Sequence, residues 1–576
     1  MNKQEIVIKI GGAAGFGIKV SGLILGKTLF NNGLYVFGYS EYPSLIRGGH
    51  NIYQLNVAQH SVISATKKID ILVALNQETV DLHKDELNKD GIIIYDNLEL
   101  AAKDFKDINL VQVPLTKLAE QAGGVITKNI VALGVVMAVL GLDLKLFNRE
   151  IENEFKDKGE KIVAMDKQAA KLGYEAALKY SLKVQSWQLV NREDDNNFIL
   201  TANEAVAHGM IQAGCGFYSA YPMTPATSIM HVLASKQRNF GLVVHQTEDE
   251  ISAIGVAIGA ATTGVRSATG SSGGGFSLMV ENVGFTGIAE IPLVIIESQR
   301  TAPASGMPTW TEQGDLKFVL SASHGEFPRI VLAPGDAEEA FYMIQESFNL
   351  AEKFQVPVIF LLDKLLSESD FILENLDINK IKINRGDLLT ENELTRKENY
   401  QRYEINKSGV SKRALVGQVS GVHIINSDEH DESGYSTEQA EMRQAMMDKR
   451  FDKVKLIQSE LPEPKLYGDK NAEITLVGWG SVKGAVIDAM NELKIKNDEL
   501  KINFLHITHL WPFPSKRVKA ILEGAKNLLL VENNKTGQLA DLIRQETGIE
   551  IKNRFLKYDG RPFFREEVIK EIKKYI

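Results

Sequence analysis

Three side chains near the middle of the sequence are of types that can bind and orient a small anionic molecule: Thr224, Glu250 and Arg300. Thr224 stands in YPMTPATSIM (221–230), after a short apolar-to-aromatic stretch that reads as a strand and before 226–234, which reads as a helix. Threonine followed by Pro225 is a helix start, with a hydroxyl at the cap and proline at the first helical position. A helix N-terminus beyond the end of a parallel strand is also where α/β folds hold anionic ligands. Both roles stay open for Thr224. Glu248, Asp249 and Glu250 open a second helix in HQTEDEISAIGVAIGAA (245–261), with small residues at Ala253, Ala257 and Ala261. The acids complement the helix dipole. A carboxylate buried on such a close-packing face is costly unless paired, and a cofactor ring nitrogen is one suitable partner. Arg300 stands just past the apolar run IPLVIIES (291–298), at the carboxyl end of an expected parallel strand. Its planar fork suits a substrate carboxylate, and a surface salt bridge is the other reading.

Glycine-rich segments surround these residues. GGAAGFG (11–17) follows the strand EIVIKI and opens a helix, so it is either an anion cradle or a tight turn. It is not a dinucleotide fingerprint, because Val20 occupies the third glycine position. SGLILGKT (21–28) misses the P-loop pattern at Ser21 and reads as a helix face. SLIRGGHNIY (44–53) places Arg47 and His50 around two glycines, as a turn or as a basic loop facing an anion. TGSSGGGFSLMVE (269–281) is a turn that could bring amides close to a ligand. The contiguous Asp428, Glu429, His430, Asp431 and Glu432 cannot all point one way in regular structure, so a solvated loop is expected rather than a metal site.

The elements that must position these groups alternate between strand and helix. The chain has 576 residues, which suggests three or four domains. Residues 1–180 and 201–385 each read as alternating strands and helices, and 466–576 does so again, as expected of mainly parallel sheets. Residues 181–200 read as a linker and 386–465 as an extended, charged linker region. The apolar run from Ile130 to Leu142 is too short for a bilayer and reads as a buried helix. The net charge of -9 argues against a nucleic-acid partner. The N-terminal residues lack a signal-peptide layout, and the single cysteine, Cys215, points to a reducing compartment; a cytoplasmic protein is expected. One thiol also excludes an iron–sulfur cluster held by this chain alone.

Taken in order, these segments resemble the 2-oxoacid:ferredoxin oxidoreductases, and among them the alpha chains with a fused gamma part. GGAAGFG, RGGH (47–50) and KNIVALG (128–134) are similar to the gamma part. YPMTPAT, EDEISAIGVAIGA, SSGGGFSLM and QRTAPASGMPT are similar to the thiamine pyrimidine-binding domain. EHDESG, LVGWGS, WPFP and ENNKTGQLADLIR are similar to the transketolase C-terminal-like domain. The resemblance implies an α/β fold of three mainly parallel doubly wound domains in that order. It implies thiamine-dependent oxidative decarboxylation of a 2-oxoacid to acyl-CoA, with electrons passed to ferredoxin. Fused chains of this kind most resemble the group that takes 2-oxoglutarate or a broad range of 2-oxoacids.

The same resemblance carries roles to individual residues. Glu250 would contact the thiamine pyrimidine ring, with Glu248 as second candidate; Thr224 would face the 2-oxoacid; Arg300 would bind its carboxylate. The family's GDG segment for pyrophosphate and magnesium is missing from this sequence. A separate beta chain is therefore expected to bring the pyrophosphate site, the magnesium and a [4Fe-4S] cluster, and this chain alone is expected to be inactive. Coenzyme A is the expected co-substrate. Gly274 stands where the family often has proline, and Thr301-Ala302 where glycine often precedes the proline. A pyruvate- or branched-chain-specific member is the alternative. A non-catalytic nucleotide-binding protein on the same fold is the rival from another class.

Overall fold

The computed structural model describes residues 5–45, 48–98, 105–180, 197–497 and 499–576. Arg47 and most of the expected linker at 181–200 lie outside the described residues. The described chain forms two compact units. One comprises 1–199 with 369–375 and 563–570, and the other comprises the remainder.

The first unit is built on a mixed sheet. Strand Glu5–Ala13 is buried along almost its whole length. It pairs in parallel with Ile69–Ala74 and antiparallel with His50–Ala58. From Ile69–Ala74 the sheet continues in parallel through Leu87–Tyr95 to Asn109–Gln112. On the other side Tyr35–Glu41 pairs antiparallel with His50–Ala58. This half runs antiparallel because only eight residues join Tyr35–Glu41 to His50–Ala58, too few for the crossover a parallel pair needs. The expected buried helix is Lys128–Val139, and Ile130 through Val139 are all buried. Two glycines let it cross Glu160–Leu178 closely: a methyl at Gly134 would lie 2.1 Å from the Ala170 carbonyl, and one at Gly173 2.0 Å from that of Val131.

The second unit carries two sheets. The larger runs in the order His509–Trp511, Ile330–Leu332, Pro357–Asp363, Leu293–Gln299, Ser267–Ser271, Phe217–Ala220, Val243–Gln246. All its pairs are parallel except the one formed by the edge strand His509–Trp511. The smaller sheet orders Lys465–Gly468, Ile502–His506, Ile474–Gly478, Leu528–Glu532 and Asn553–Leu556. ENNKTGQL explains itself here. Asn533 and Gln313 exchange two hydrogen bonds, of 2.8 and 3.0 Å, and Asn534 Nδ2 donates to the Gln313 carbonyl at 2.9 Å. Gln313 Nε2 in turn donates to the Trp479 carbonyl at 2.8 Å. The motif thus holds the loop that follows Arg300.

Glu532 is buried beneath this latch, accepting from Trp479 Nε1 at 2.9 Å and from the Leu539 amide. Burial pushes its carboxyl up to about 7 against those hydrogen bonds. A raised folded pKa contributes stability that is full below the unfolded value, near 4.5, and lost as pH rises through about 7. The thermal midpoint of the protein minus that of Glu532→Gln is therefore expected to fall across this window. A difference that stays flat with pH would refute it.

Residues 386–465 do more than connect. They contain the 21-residue helix Ala440–Glu460. Lys449 and Lys453 of that helix reach the buried carboxylate of Glu290, and Arg402 Nη2 donates to the Glu290 carbonyl at 2.8 Å. Within the acidic run, Glu429 pairs with Arg443 and Arg450, and His430 is buried against the Tyr403 ring at 4.1 Å. The segment is anchored by partners distant in sequence, which its polar composition conceals.

Candidate active site

The end of strand Phe217–Ala220 leads into a turn at 224–226, with a cis peptide between Thr224 and Pro225. The helix begins only at Thr227; its cap position is Ala226, and no side chain caps it. Thr224 is therefore not a helix cap, contrary to the sequence expectation: the turn inserts Pro225 and Ala226 between the hydroxyl and the first helical amide. The turn is held from both sides. Arg300 Nη1 donates to the Thr224 carbonyl at 2.9 Å, and Asn203 Nδ2 donates to the Pro225 carbonyl at 2.7 Å. Arg300 thus meets Thr224 across 76 positions of sequence, at the carboxyl ends of two parallel strands that flank Ser267–Ser271. Burial lowers the Arg300 pKa, and Glu297 opposes that shift.

Glu250 is the first residue of the helix Glu250–Thr262. Asp249 caps it, its side chain accepting from the Ser252 amide at 2.8 Å. Glu250 is 4% exposed, and its Oε1 has no hydrogen-bond partner. Gly275 leaves room for it: a methyl there would lie 2.5 Å from Oε1. Glu248 faces solvent and accepts from the Ser252 hydroxyl, which lowers its pKa. Of the two candidate acids, only Glu250 is both buried and unsatisfied. Such an acceptor fits the ring nitrogen of an aminopyrimidine.

Sequence reasoning missed Glu297. It lies on strand Leu293–Gln299, fully buried, with its carboxyl against that of Asp315. Burial, then Asp315 and Asp363, raise its pKa well above the carboxylate range, with Arg300 opposing. Asp315 is raised too, chiefly by burial, with Glu297 hydrogen-bonded to it. A proton shared between two buried carboxyls accounts for this pairing, because two anions that close would repel. The signal in sequence is an acid directly after the apolar run LVII of that strand. The free thiol of Cys215 is buried and pushed up to about 12, chiefly by burial, so it is inert. Among the described residues no group of three or more His, Cys, Asp or Glu side chains is placed to hold a metal ion.

In the first unit, His50 pairs opposite Ala13, at the mouth of the glycine loop. His50 Nε2 is 3.0 Å from His83 Nε2, and His83 Nδ1 is 3.0 Å from Glu86, which also pairs with Lys9. Burial, then His83, lowers the His50 pKa. SGLILGKT lies within the helix Ile18–Asn31, as expected of a helix face.

Family models match along the chain. Residues 208–449 match pyruvate flavodoxin/ferredoxin oxidoreductase, thiamine diphosphate-binding. Residues 7–176 match pyruvate ferredoxin/flavodoxin oxidoreductase, and 472–568 match pyruvate:ferredoxin oxidoreductase core domain II. A 2-oxoacid:ferredoxin oxidoreductase subunit alpha of Sulfolobus is 34% identical over 98% of this chain and 96% of its own. The chain belongs to the 2-oxoacid:ferredoxin oxidoreductases. A 2-oxoglutarate synthase subunit KorA of Methanothermobacter thermautotrophicus is 32% identical over 66% of this chain and 98% of its own length. A solved 2-oxoglutarate:ferredoxin oxidoreductase from Magnetococcus marinus, with 2-oxoglutarate, coenzyme A and succinyl-CoA bound, superposes with a TM-score of 0.92 at 29% identity, covering all of both chains. The chain is thus an α/β subunit of a thiamine-dependent oxidoreductase. Among the described residues no helix of this oxidoreductase subunit is long and apolar enough to cross a membrane.

Proposed function

We propose that this oxidoreductase subunit acts on 2-oxoglutarate, as part of a cytoplasmic complex with a beta chain. The observation that carries the reading is the unpartnered Oε1 of buried Glu250 at the start of its helix. Glu250 accepts from the pyrimidine ring of thiamine diphosphate, which supplies the electron sink for loss of carbon dioxide. Arg300 pairs with a carboxylate of the substrate. The Thr224 hydroxyl, released from capping, donates to the 2-oxoacid, and the two together orient it. The overall step takes 2-oxoglutarate and the thiol of coenzyme A to succinyl-CoA and carbon dioxide. Two electrons go to ferredoxin, and the thiol proton is released.

The beta chain is assigned the pyrophosphate, the magnesium and a [4Fe-4S] cluster, because this sequence has one cysteine and no GDG segment. Its docking face is the open side of helices Glu250–Thr262 and Gly273–Ile288. There Ile251 and Leu278 are 51% and 50% exposed, and methyls at Gly255, Gly259 and Gly274 would touch nothing within 4 Å. Residues 1–180 form the gamma domain, 201–385 the pyrimidine-binding domain and 466–576 the transketolase-like domain.

The test is anaerobic viologen reduction by the complex purified from its own cells. Reduction that requires coenzyme A and is faster with 2-oxoglutarate than with pyruvate is expected. Reduction by pyruvate alone would overturn the substrate, and none with any 2-oxoacid would overturn the function. Thr224→Ala adds a sharper check. With no cap to lose, its stability is expected within about 0.5 kcal/mol of the parent protein. KM for 2-oxoglutarate should rise by about tenfold, the worth of one hydrogen bond to a charged group. A large loss of stability with unchanged KM would return Thr224 to a structural role.

A further inference from the structure

Glu297 stands near the end of strand Leu293–Gln299, in register beside Ser271, the last residue of the neighbouring strand Ser267–Ser271. It lies on the same face of the strand as Leu293 and Ile295, which share a core with Phe276 and Met279 of the helix Gly273–Ile288. The opening turn of that helix is where the acids gather. A methyl at Gly273 would lie 2.6 Å from Asp315 Oδ2, and one at Gly275 would meet Ser271 Oγ and, at 2.5 Å, Glu250 Oε1. The carboxyls of Asp315 and Glu250 thus rest on the same helical turn, whose cap residue Ser272 makes no side-chain hydrogen bond.

A helix N-terminus favours a negative charge. Asp315 is placed to carry one there, because its Oδ2 faces Gly273, the first helical residue. Its amide donates to Gln299 Oε1 at 3.0 Å, which ties the loop to the end of the Glu297 strand. With the charge on Asp315, the proton between the two carboxyls stays on Glu297, which donates it to Asp315.

The other charged groups that act on Glu297 are Asp363 and Arg300. Asp363 ends the strand Pro357–Asp363, is fully buried and accepts from the Leu366 amide at 3.1 Å. From the helix side the acid is Glu250, at Gly275. Arg300, three residues beyond Glu297, is the cation that opposes these acids. An ionised Glu297 would be a second buried anion beside Asp315, and such a charge is costly unless a cation pairs with it. Arg300 is the group it would draw in. Drawn inward, the guanidinium would leave the Thr224 carbonyl, which its Nη1 reaches at 2.9 Å.

We propose, on the reading of Arg300 as the residue that binds a substrate carboxylate, that Glu297 is a positioning residue: by keeping a proton against Asp315 it stays neutral and leaves the Arg300 guanidinium beside Thr224, open to the 2-oxoacid. Glu297 touches neither substrate nor cofactor in this role. It acts by withholding a charge that would compete with the substrate for the same arginine.

The test is the pH dependence of KM for 2-oxoglutarate and of kcat, each measured by viologen reduction with the intact complex at saturating coenzyme A. In the parent protein KM is expected to rise at least about tenfold as Glu297 ionises with rising pH, the worth of one hydrogen bond to a charged group, while kcat changes less. Asp315→Asn removes the anion that keeps Glu297 protonated, so its rise in KM is expected at lower pH. Glu297→Gln still donates to Asp315 but cannot ionise, so its KM is expected to stay flat over the same range. A rise that persists in Glu297→Gln, or one that fails to appear at lower pH in Asp315→Asn, would overturn the proposal. A purely structural Glu297 would change the thermal midpoint and leave the pH profiles of KM where they were. Each variant decides the matter if the other fails to fold. Arg300→Gln tests the underlying reading: unchanged KM would overturn the role of Arg300 and that of Glu297 with it. A raised KM in Arg300→Gln, with the parent profile intact in Glu297→Gln, would overturn the role of Glu297 alone.

Discussion

Glu250→Gln is expected to lower coenzyme A-dependent viologen reduction by the complete complex between about 100- and 10,000-fold, the range for loss of an acid–base group. The substitution keeps the shape of the side chain. It leaves the Asp249 cap untouched, so the helix Glu250–Thr262 should form as before. What disappears is a buried negative acceptor whose Oε1 has no other partner in the chain. A neutral amide cannot favour the protonated pyrimidine nitrogen in the same way, so thiamine diphosphate should also bind more weakly, read by quenching of protein fluorescence. Glu248→Gln is the control. That carboxylate is exposed and bonded to Ser252, so its loss should cost less than about twofold, in line with surface substitutions. If Glu250→Gln retains more than a tenth of the activity, or if Glu248→Gln proves the more damaging, the assignment of the pyrimidine contact fails.

The second large effect concerns stability. Glu290 is fully buried and lies at 2.5 Å from Lys449 Nζ, with Lys453 on its other oxygen. Burial alone would raise its pKa, but Lys449, Lys453 and Arg402 outweigh it and hold the carboxyl well below the usual range. Glu290→Gln removes the anion and leaves two lysines, each about 1% exposed, with no countercharge. Such a loss is worth about 3–5 kcal/mol. It should appear as an early unfolding transition that releases the helix Ala440–Glu460, seen as protease cleavage within 386–465. Lys317→Ala breaks an exposed pair with Asp541 and should cost less than about 1 kcal/mol. Equal midpoints for Glu290→Gln and the parent protein would mean that the buried cluster contributes little.

Much of the architecture was legible because it rests on local pattern. The runs IPLVIIES and VPVIFLL became the strands Leu293–Gln299 and Pro357–Asp363, and the apolar run after Lys128 became a buried helix. Each element's hydrophobic length and its flanking glycines or prolines lie within a dozen residues of one another. The antiparallel pairing of His50–Ala58 within the first sheet was not legible, because strand direction depends on how the chain returns and not on any one strand's composition.

The site divides in the same way. Sequence by itself determined the family through ordered motifs, and the helix-opening acids before small residues brought forward Glu250 and Glu248. It could not tell these two apart, because one is buried and the other exposed only after the Gly273–Ile288 helix has packed with Gly275 beside the Glu250 carboxyl. Thr224-Pro225 satisfied every local rule for a helix start, yet the chain turns first and the hydroxyl is freed. Glu297 gained its perturbed carboxyl from burial first and then from Asp315 and Asp363, on other segments. Glu290 met Lys449 across 159 positions. Secondary structure follows from neighbours in sequence. Burial, charge pairing and an acceptor left without a donor are properties of neighbours in space, and those exist only in the folded chain.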